Sequence, residues 1–218
     1  MKNKEQNFNK LIFGKPPQSL SNDICNLLFM FMIAVIIIMI AFAATYKGSM
    51  VKGPSMMPLI NNTYDKYPEK EDIAYYCKVD NYDYGDIVII NTGEKEIIKR
   101  VVGRPGDYIE IKKAKDGNYY LYRNREKIEE DFIYDISGME IEDKWLDITF
   151  DGHLTVGTNE LFVMGDNRGN SKDSTYYGCF SYDDVLGRVD FLVKADESPI
   201  ISIFLQLFLP ILRPNTIN

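Results

Sequence analysis

"EIIKRVVGRPGD" occupies residues 96–107. Its first eight residues are rich in Ile and Val, which favours a β-strand, and "GRPGD" then supplies a tight turn. The stretch also holds a lysine where a strand of this kind rarely carries one. Side chains alternate along a strand, so Lys99 shares its face with Ile97 and Val101. Burial there would disfavour the charge and lower the pKa of the amine. A free lysine, with a pKa of about 10.4, is neutral only about once in several thousand molecules at pH 7. A shift of ~3 units, roughly 4 kcal/mol, makes the amine a usable base. The alternative is an exposed Lys99 with Arg100 pointing inward, and periodicity alone leaves both open.

Runs of the same kind recur on both sides. "GDIVIINT" (85–92), "DYIEIKK" (107–113), "NYYLYRN" (118–124), "ELFVMGD" (160–166) and "GRVDFLV" (187–193) are short and rich in β-branched and aromatic residues. Gly, Asn or Asp clusters separate most of them, and "KDGN" at 115–118 reads as a hairpin turn. "SYDDVLG" at 181–187 reads as a short turn or helix. The pattern predicts a mainly β fold, an antiparallel domain with Greek-key or barrel-like closure, over residues 46–197. Its acidic segment, 125–159, reads as solvated loop.

The two ends are different. Residues 24–44, "ICNLLFMFMIAVIIIMIAFAA", carry no charge. About 20 residues at ~1.5 Å each give ~30 Å, the thickness of the hydrocarbon layer. A transmembrane helix over 24–45 is expected, preceded by a tail at 1–23. A cleaved signal peptide is the rival, since "AFA" at 41–43 resembles a cleavage site, but the stretch is long for that role. Lys2, Lys4, Lys10 and Lys15 precede the span, against Lys47 and Lys52 after it. This bias places the N-terminus in the cytoplasm and the β domain outside a cell membrane. At the other end, 198–218 begins with the apolar "PIISIFLQLFLPILR". It is too short to span comfortably and reads as an interfacial helix, with a strained second span or a packed strand as alternatives.

Composition removes several function classes. A net charge of −7 argues against wholesale nucleic-acid binding. The three cysteines, Cys25, Cys77 and Cys179, have no metal-like spacing and make no disulfide framework, leaving at most one Cys77–Cys179 bridge. The single histidine, His153, stands in "FDGHLTVG", a strand-and-turn context without an H-E-x-x-H helix. It reads as an ordinary surface or core residue.

Two other stretches carry possible chemistry. In "VKGPSMMPL" (51–59), Ser55 follows Gly53 and Pro54. The glycine permits close backbone approach, the prolines stiffen the turn, and Met56 and Met57 offer flexible apolar shielding. "GDNRGNSKDSTYYG" (165–178) follows an apolar strand and folds back through side-chain to backbone hydrogen bonds. Each alone fits a plain loop.

Together, in this order and behind an anchor, "SMMP", "KRVVGRPGD" and "GDNRGNSKDS" resemble the successive sequence boxes of bacterial type I signal peptidases. The likeness is to the compact forms with one N-terminal anchor, and it covers the anchor and most of residues 50–190. The resemblance implies a serine nucleophile at Ser55 and a lysine general base at Lys99. It implies a hydroxyl that orients the lysine at Ser171, and structural positions at Arg100, Asp166, Asn167, Arg168 and Asp173. The Ser55 amide would be one oxyanion donor. Some relatives carry a second on a serine where this chain has Gly53, so a backbone N–H or water would serve. No metal, nucleotide or other cofactor is implied. The implied substrates are secretory preproteins with small residues at the first and third positions before the cut, met at the lipid bilayer. The residues carry no signal of oligomeric state.

Two positions depart from the family pattern. Leu59 stands where Thr is frequent. Thr175 stands where an arginine normally pairs with the aspartate, which is Asp173 here. Asp173 then needs another partner, Arg100 or Arg168, or else solvent. The departure supports an alternative function, a catalytically impaired relative acting as a membrane-tethered peptide-binding or assembly protein. Self-cleaving repressors also use Ser and Lys, but they carry an N-terminal DNA-binding region instead of a basic tail and a span.

Overall fold

The computed structural model describes residues 20–130, 132–133, 145, 149, 152–195 and 197–199. The expectations for residues 1–19 and 200–218 therefore lie outside the described residues. The chain divides after Thr45 into two units.

The first unit is one helix, α1 (Leu20–Thr45). Its 26 residues span about 39 Å at ~1.5 Å each, and Asn22–Thr45 is long and apolar enough to cross a membrane. None of that apolar window is buried, and Leu27, Phe31 and Ile40 are more than 60% exposed. A helix apolar on all sides suits lipid as its surroundings.

In the second unit the described strands form two antiparallel sheets. The larger contains β1 (Lys47–Met50), β2 (Ile73–Cys77), β3 (Ile87–Asn91), β4 (Glu96–Gly103), β9 (Glu160–Met164), β10 (Phe180–Ser181) and β11 (Val185–Val193). Their spatial order is β1-β2-β11-β3-β4-β9-β10. The last strand thus returns between β2 and β3, and β9 returns beside β4. Such long-range returns are the Greek-key habit expected from the sequence. The smaller sheet has the order β7-β6-β5-β8, with β5 (Tyr108–Lys113), β6 (Tyr119–Arg123), β7 (Glu126–Lys127) and β8 (His153–Thr155).

Every run named from the sequence forms a strand, and β4 has the bounds of "EIIKRVVG". The 115–118 turn joins β5 to β6, closed by the Ala114 amide on the Asn118 carbonyl. "SYDDVLG" is part turn and part the start of β11 rather than a helix, because Val185 is drawn into the core beside Val88 and Ile90.

Three apolar clusters flank the strands. One gathers Val88, Ile90, Ile97, Val101, Leu161 and Val163. A second joins the sheets through Val102, Ile109, Leu121, Trp145 and Phe162, with the Trp145 and Phe162 rings edge to face at 5.8 Å. The third packs Val51, Met56 and Ile60 on Ala74, Ile98 and Leu192. β4 contributes to all three. All three cysteines are free, so the Cys77–Cys179 bridge is not formed. His153 is half-buried on β8, its ring against Tyr108 at 4.7 Å.

Candidate active site

β1 ends at Met50, and the chain then turns sharply through Gly53 and Pro54 to Ser55. Gly53 has φ +83°, a conformation other residues adopt only with strain. The turn is anchored from below by Asn61, whose Nδ2 donates to the Val51 carbonyl at 2.7 Å and to the Gly53 carbonyl at 2.9 Å. Asn61 is itself locked to buried Asp72 by a reciprocal pair, Asn61 N–H to Asp72 Oδ2 and Asp72 N–H to Asn61 Oδ1. Lys194 and the Ala195 amide complete Asp72 from the far end of the chain. From the other side, the Asn167 amide donates to the Ser55 carbonyl at 3.0 Å and its Nδ2 to the Pro54 carbonyl at 3.2 Å. The carbonyls of the turn are thereby held, whereas the Ser55 amide donates to none of the described residues. Met56 and Met57 are 1% and 3% exposed, so they lie in the core beneath the turn.

Lys99 comes to this turn from β4. It sits across the ladder from Val88. The amine is 2.8 Å from Ser55 Oγ and 2.8 Å from the Ile98 carbonyl. Lys99 is 3% exposed and Arg100 1%, so the strand turns both basic residues inward. The expectation of a buried Lys99 holds, the alternative of an exposed Lys99 does not, and Arg100 is inward as well. The pKa of Lys99 is lowered to about 8. Burial is the main cause, the charge of Lys95 adds to it, and the carboxylates of Asp173 and Asp166 oppose it.

The remaining motif residues divide their work. Arg100 grips Asp166 bidentately, Nε to Oδ1 at 2.8 Å and Nη2 to Oδ2 at 2.6 Å, with both side chains sealed from solvent. Its remaining nitrogen reaches the Gly85 carbonyl, and its guanidinium lies 4.2 Å from the Phe132 ring centre. Arg168 donates to the Gly165 carbonyl and pairs bidentately with Glu130. Glu130 belongs to the acidic stretch read as solvated, but its side chain is only 4% exposed. Nothing in that stretch singled it out, because an acid with a distant arginine partner looks like any other acid in a sequence.

Asp173 is 2% exposed, and neither Arg100 nor Arg168 is its partner. One carboxylate oxygen accepts from the Ser171 hydroxyl at 2.6 Å and the Gly165 amide at 3.0 Å. The other accepts from the Thr175 amide and hydroxyl at 3.1 and 2.9 Å. The loop is thus rewired rather than solvated, with four neutral donors in place of a cation. Ser171 donates its proton to Asp173, and no hydrogen bond joins it to Lys99. Lys99 donates to the Ile98 carbonyl instead.

Gly165 was not singled out by its sequence, but the loop depends on it. A Cβ there would stand 2.4 Å from Ser171 Oγ and 2.5 Å from the Ser55 carbonyl oxygen. The absence of a side chain lets the two loops meet. Beside this junction opens a cleft of about 580 Å³, walled by Ser49–Ser55 on one side and Lys95–Lys99 on the other. Chemically, a fixed hydroxyl against a desolvated amine, an amide with no acceptor among the described residues and an open cleft suit nucleophilic attack on a carbonyl.

The sequence pattern of the signal peptidase family, peptidase S26, matches residues 24–194. Signal peptidase I S of Bacillus subtilis (strain 168) is 32% identical over 162 residues, 73% of this chain and 83% of that protein. Signal peptidase I of Bacillus caldolyticus is 30% identical over 169 residues, 73% and 85% of the two chains. A crystal structure of a signal peptidase I from Enterococcus faecalis V583 superposes with a TM-score of 0.40 at 25% identity, covering 51% of this chain and 99% of that one. Matched by the family pattern over most of its length, with these relatives beside it, the chain belongs to the signal peptidases of peptidase family S26.

Proposed function

We propose that the chain is a membrane-tethered serine endopeptidase that removes signal peptides from secretory preproteins, with Ser55 as nucleophile and Lys99 as general base. The observation that carries this reading is the 2.8 Å contact between a buried, pKa-lowered amine and a rigidly held serine hydroxyl. At a pKa of about 8, roughly one Lys99 in ten is neutral at pH 7, against one in several thousand for a free lysine.

The neutral amine accepts the Ser55 proton as Oγ bonds to the scissile carbonyl carbon. The developing oxyanion lies against the Ser55 amide; one such donor is worth roughly 3–4 kcal/mol. The C–N bond then breaks as the Lys99 ammonium returns its proton to the leaving nitrogen. Water attacks the Ser55 ester with Lys99 again taking the proton, the acid product departs, and Ser55 recovers its hydrogen. Asn167, Gly165 and the Asn61–Asp72 pair act as positioning groups, fixing Ser55 without touching the reacting atoms.

An extended peptide fits between the cleft's two walls, where alternate side chains meet separate pockets. Small residues at the first and third positions before the cut are the specificity implied by the family. Residues 24–45 would span the cell membrane, with 1–23 cytoplasmic, 46–197 outside it, and 198–218 at the interface. Tethering raises the effective concentration of a substrate whose own apolar segment lies in the same bilayer.

The test is incubation of the detergent-solubilised full chain with a labelled preprotein. The wild type should release the signal peptide and Ser55→Ala should not. Equal processing by both proteins would remove Ser55 from the reaction.

A further inference from the structure

The chain is acidic overall, with 32 Asp and Glu against 25 Lys and Arg. The cleft beside Ser55 reverses that balance. Besides Lys99, it is lined by Lys52, Lys95 and Lys172, and by Glu96 as the one acid. Glu96 already accepts a hydrogen bond from the Ser49 hydroxyl at 3.2 Å. Among the described residues, none of the three lysines has a carboxylate within ion-pair distance. Among the described residues, Lys172 has the Tyr176 ring, at 4.6 Å. Three exposed cations around one cleft repel each other, and Lys95 already acts on the charge of Lys99. A carboxylate entering the cleft relieves that repulsion.

Position along the walls says where such a carboxylate belongs. Lys52 precedes Ser55 by three residues on one wall, and Lys95 precedes Lys99 by four on the other. At ~3.3 Å per extended residue, Lys95 stands about 13 Å along β4 from Lys99, and Lys52, across the Gly53–Pro54 turn, stands at most about 10 Å from Ser55. An extended peptide in the cleft covers that distance in three to four residues.

Resting on the Ser/Lys peptidase reading, we propose that this cleft selects substrates with an aspartate or glutamate about three to four residues from the scissile bond, read by Lys52, Lys95 and Lys172. The lysines act as a charge filter on which precursors are processed fastest. All three lysines are exposed residues lining the cleft.

The test uses the full chain in detergent and fluorogenic peptides with an A-x-A site. One set carries a single Asp, Asn or Lys at the fourth or fifth position before the cut, or at the third to fifth after it, with the A-x-A residues unchanged. At low ionic strength kcat/KM for the best-placed Asp peptide should exceed that of its Asn counterpart by about three- to tenfold, with the Lys peptide slower than Asn. The ratio should fall towards one at about 1 M salt, where the Debye length is ~3 Å. It should also fall towards one in Lys52→Gln/Lys95→Gln/Lys172→Gln. If the Asn peptide is cleaved and no Asp peptide is favoured, the charge filter is refuted and the peptidase reading stands. A preference that survives in the triple variant refutes the three lysines as its source. No cleavage of any peptide by the wild type, with a labelled preprotein also intact, overturns both.

Discussion

Thr175 holds Asp173 by two atoms, its amide at 3.1 Å and its hydroxyl at 2.9 Å on the same carboxylate oxygen. The resemblance noted in the sequence implies an arginine at this position. Here the buried charge is stabilised by short neutral donors instead, which leaves Lys99 as a nearby cation whose charge Asp173 favours. Thr175→Val removes the hydroxyl donor and keeps the shape. A hydrogen bond to a charged group contributes about 1.5–3 kcal/mol, so thermal unfolding of the full chain in detergent should show a loss of that order. Thr175→Ser should recover most of it. Unchanged stability in Thr175→Val would mean that Asp173 does not depend on this donor.

Gly165 tests the junction between the two loops. The Cβ of Gly165→Ala would fall 2.5 Å from the Ser55 carbonyl oxygen, a backbone atom already held by Asn167. The Ser55 turn must move to make room. A misplacement of about 1 Å at a reacting group costs on the order of 10²-fold in rate, so preprotein cleavage should fall by about that factor. Near-normal cleavage by the alanine variant would show that the loops meet less closely than described.

Lys99 should also reveal itself in stability. Its pKa in the fold, about 8, is below its ordinary value of 10.5, so between these values the unfolded chain binds more protons than the folded one. Stability therefore rises with pH across that window, and the penalty of burying the charge is at its fullest below pH 8. Lys99→Met, which keeps the volume and drops the charge, should be inactive but about 2–3 kcal/mol more stable at pH 7. The gain should shrink as pH approaches 10.5. A variant less stable than the wild type at pH 7 would show that Lys99 is held by favourable contacts rather than against its desolvation.

The strands were legible where local pattern sufficed. β4, β5, β6 and β9 are each rich in β-formers, and the structure follows the runs named from the sequence to within two residues. β1, "KGSM", has no such run, and its four residues form a strand only because β2 offers a ladder partner. β2, "IAYYC", has the composition but lies between irregular stretches that hid it. In the candidate site, Ser55 and Lys99 stood out through their motifs. The Asn61–Asp72 lock, the Glu130–Arg168 pair and the role of Gly165 did not. Each depends on a contact between distant parts of the chain, and common polar residues or a lone glycine give no local sign of it. The partners of Asp173 were adjacent in sequence, but a conformation was needed to aim Thr175 at the carboxylate.

The central claim is that a neutral Lys99 activates Ser55. Its most direct test is kcat/KM of the full chain on an A-x-A peptide between about pH 6 and pH 10, where the profile reports the free enzyme's essential base. The rate should climb about tenfold per pH unit and level off above an apparent pKa of about 8, and Lys99→Ala should abolish turnover. A profile flat across that range, or near-normal turnover by Lys99→Ala, would contradict it.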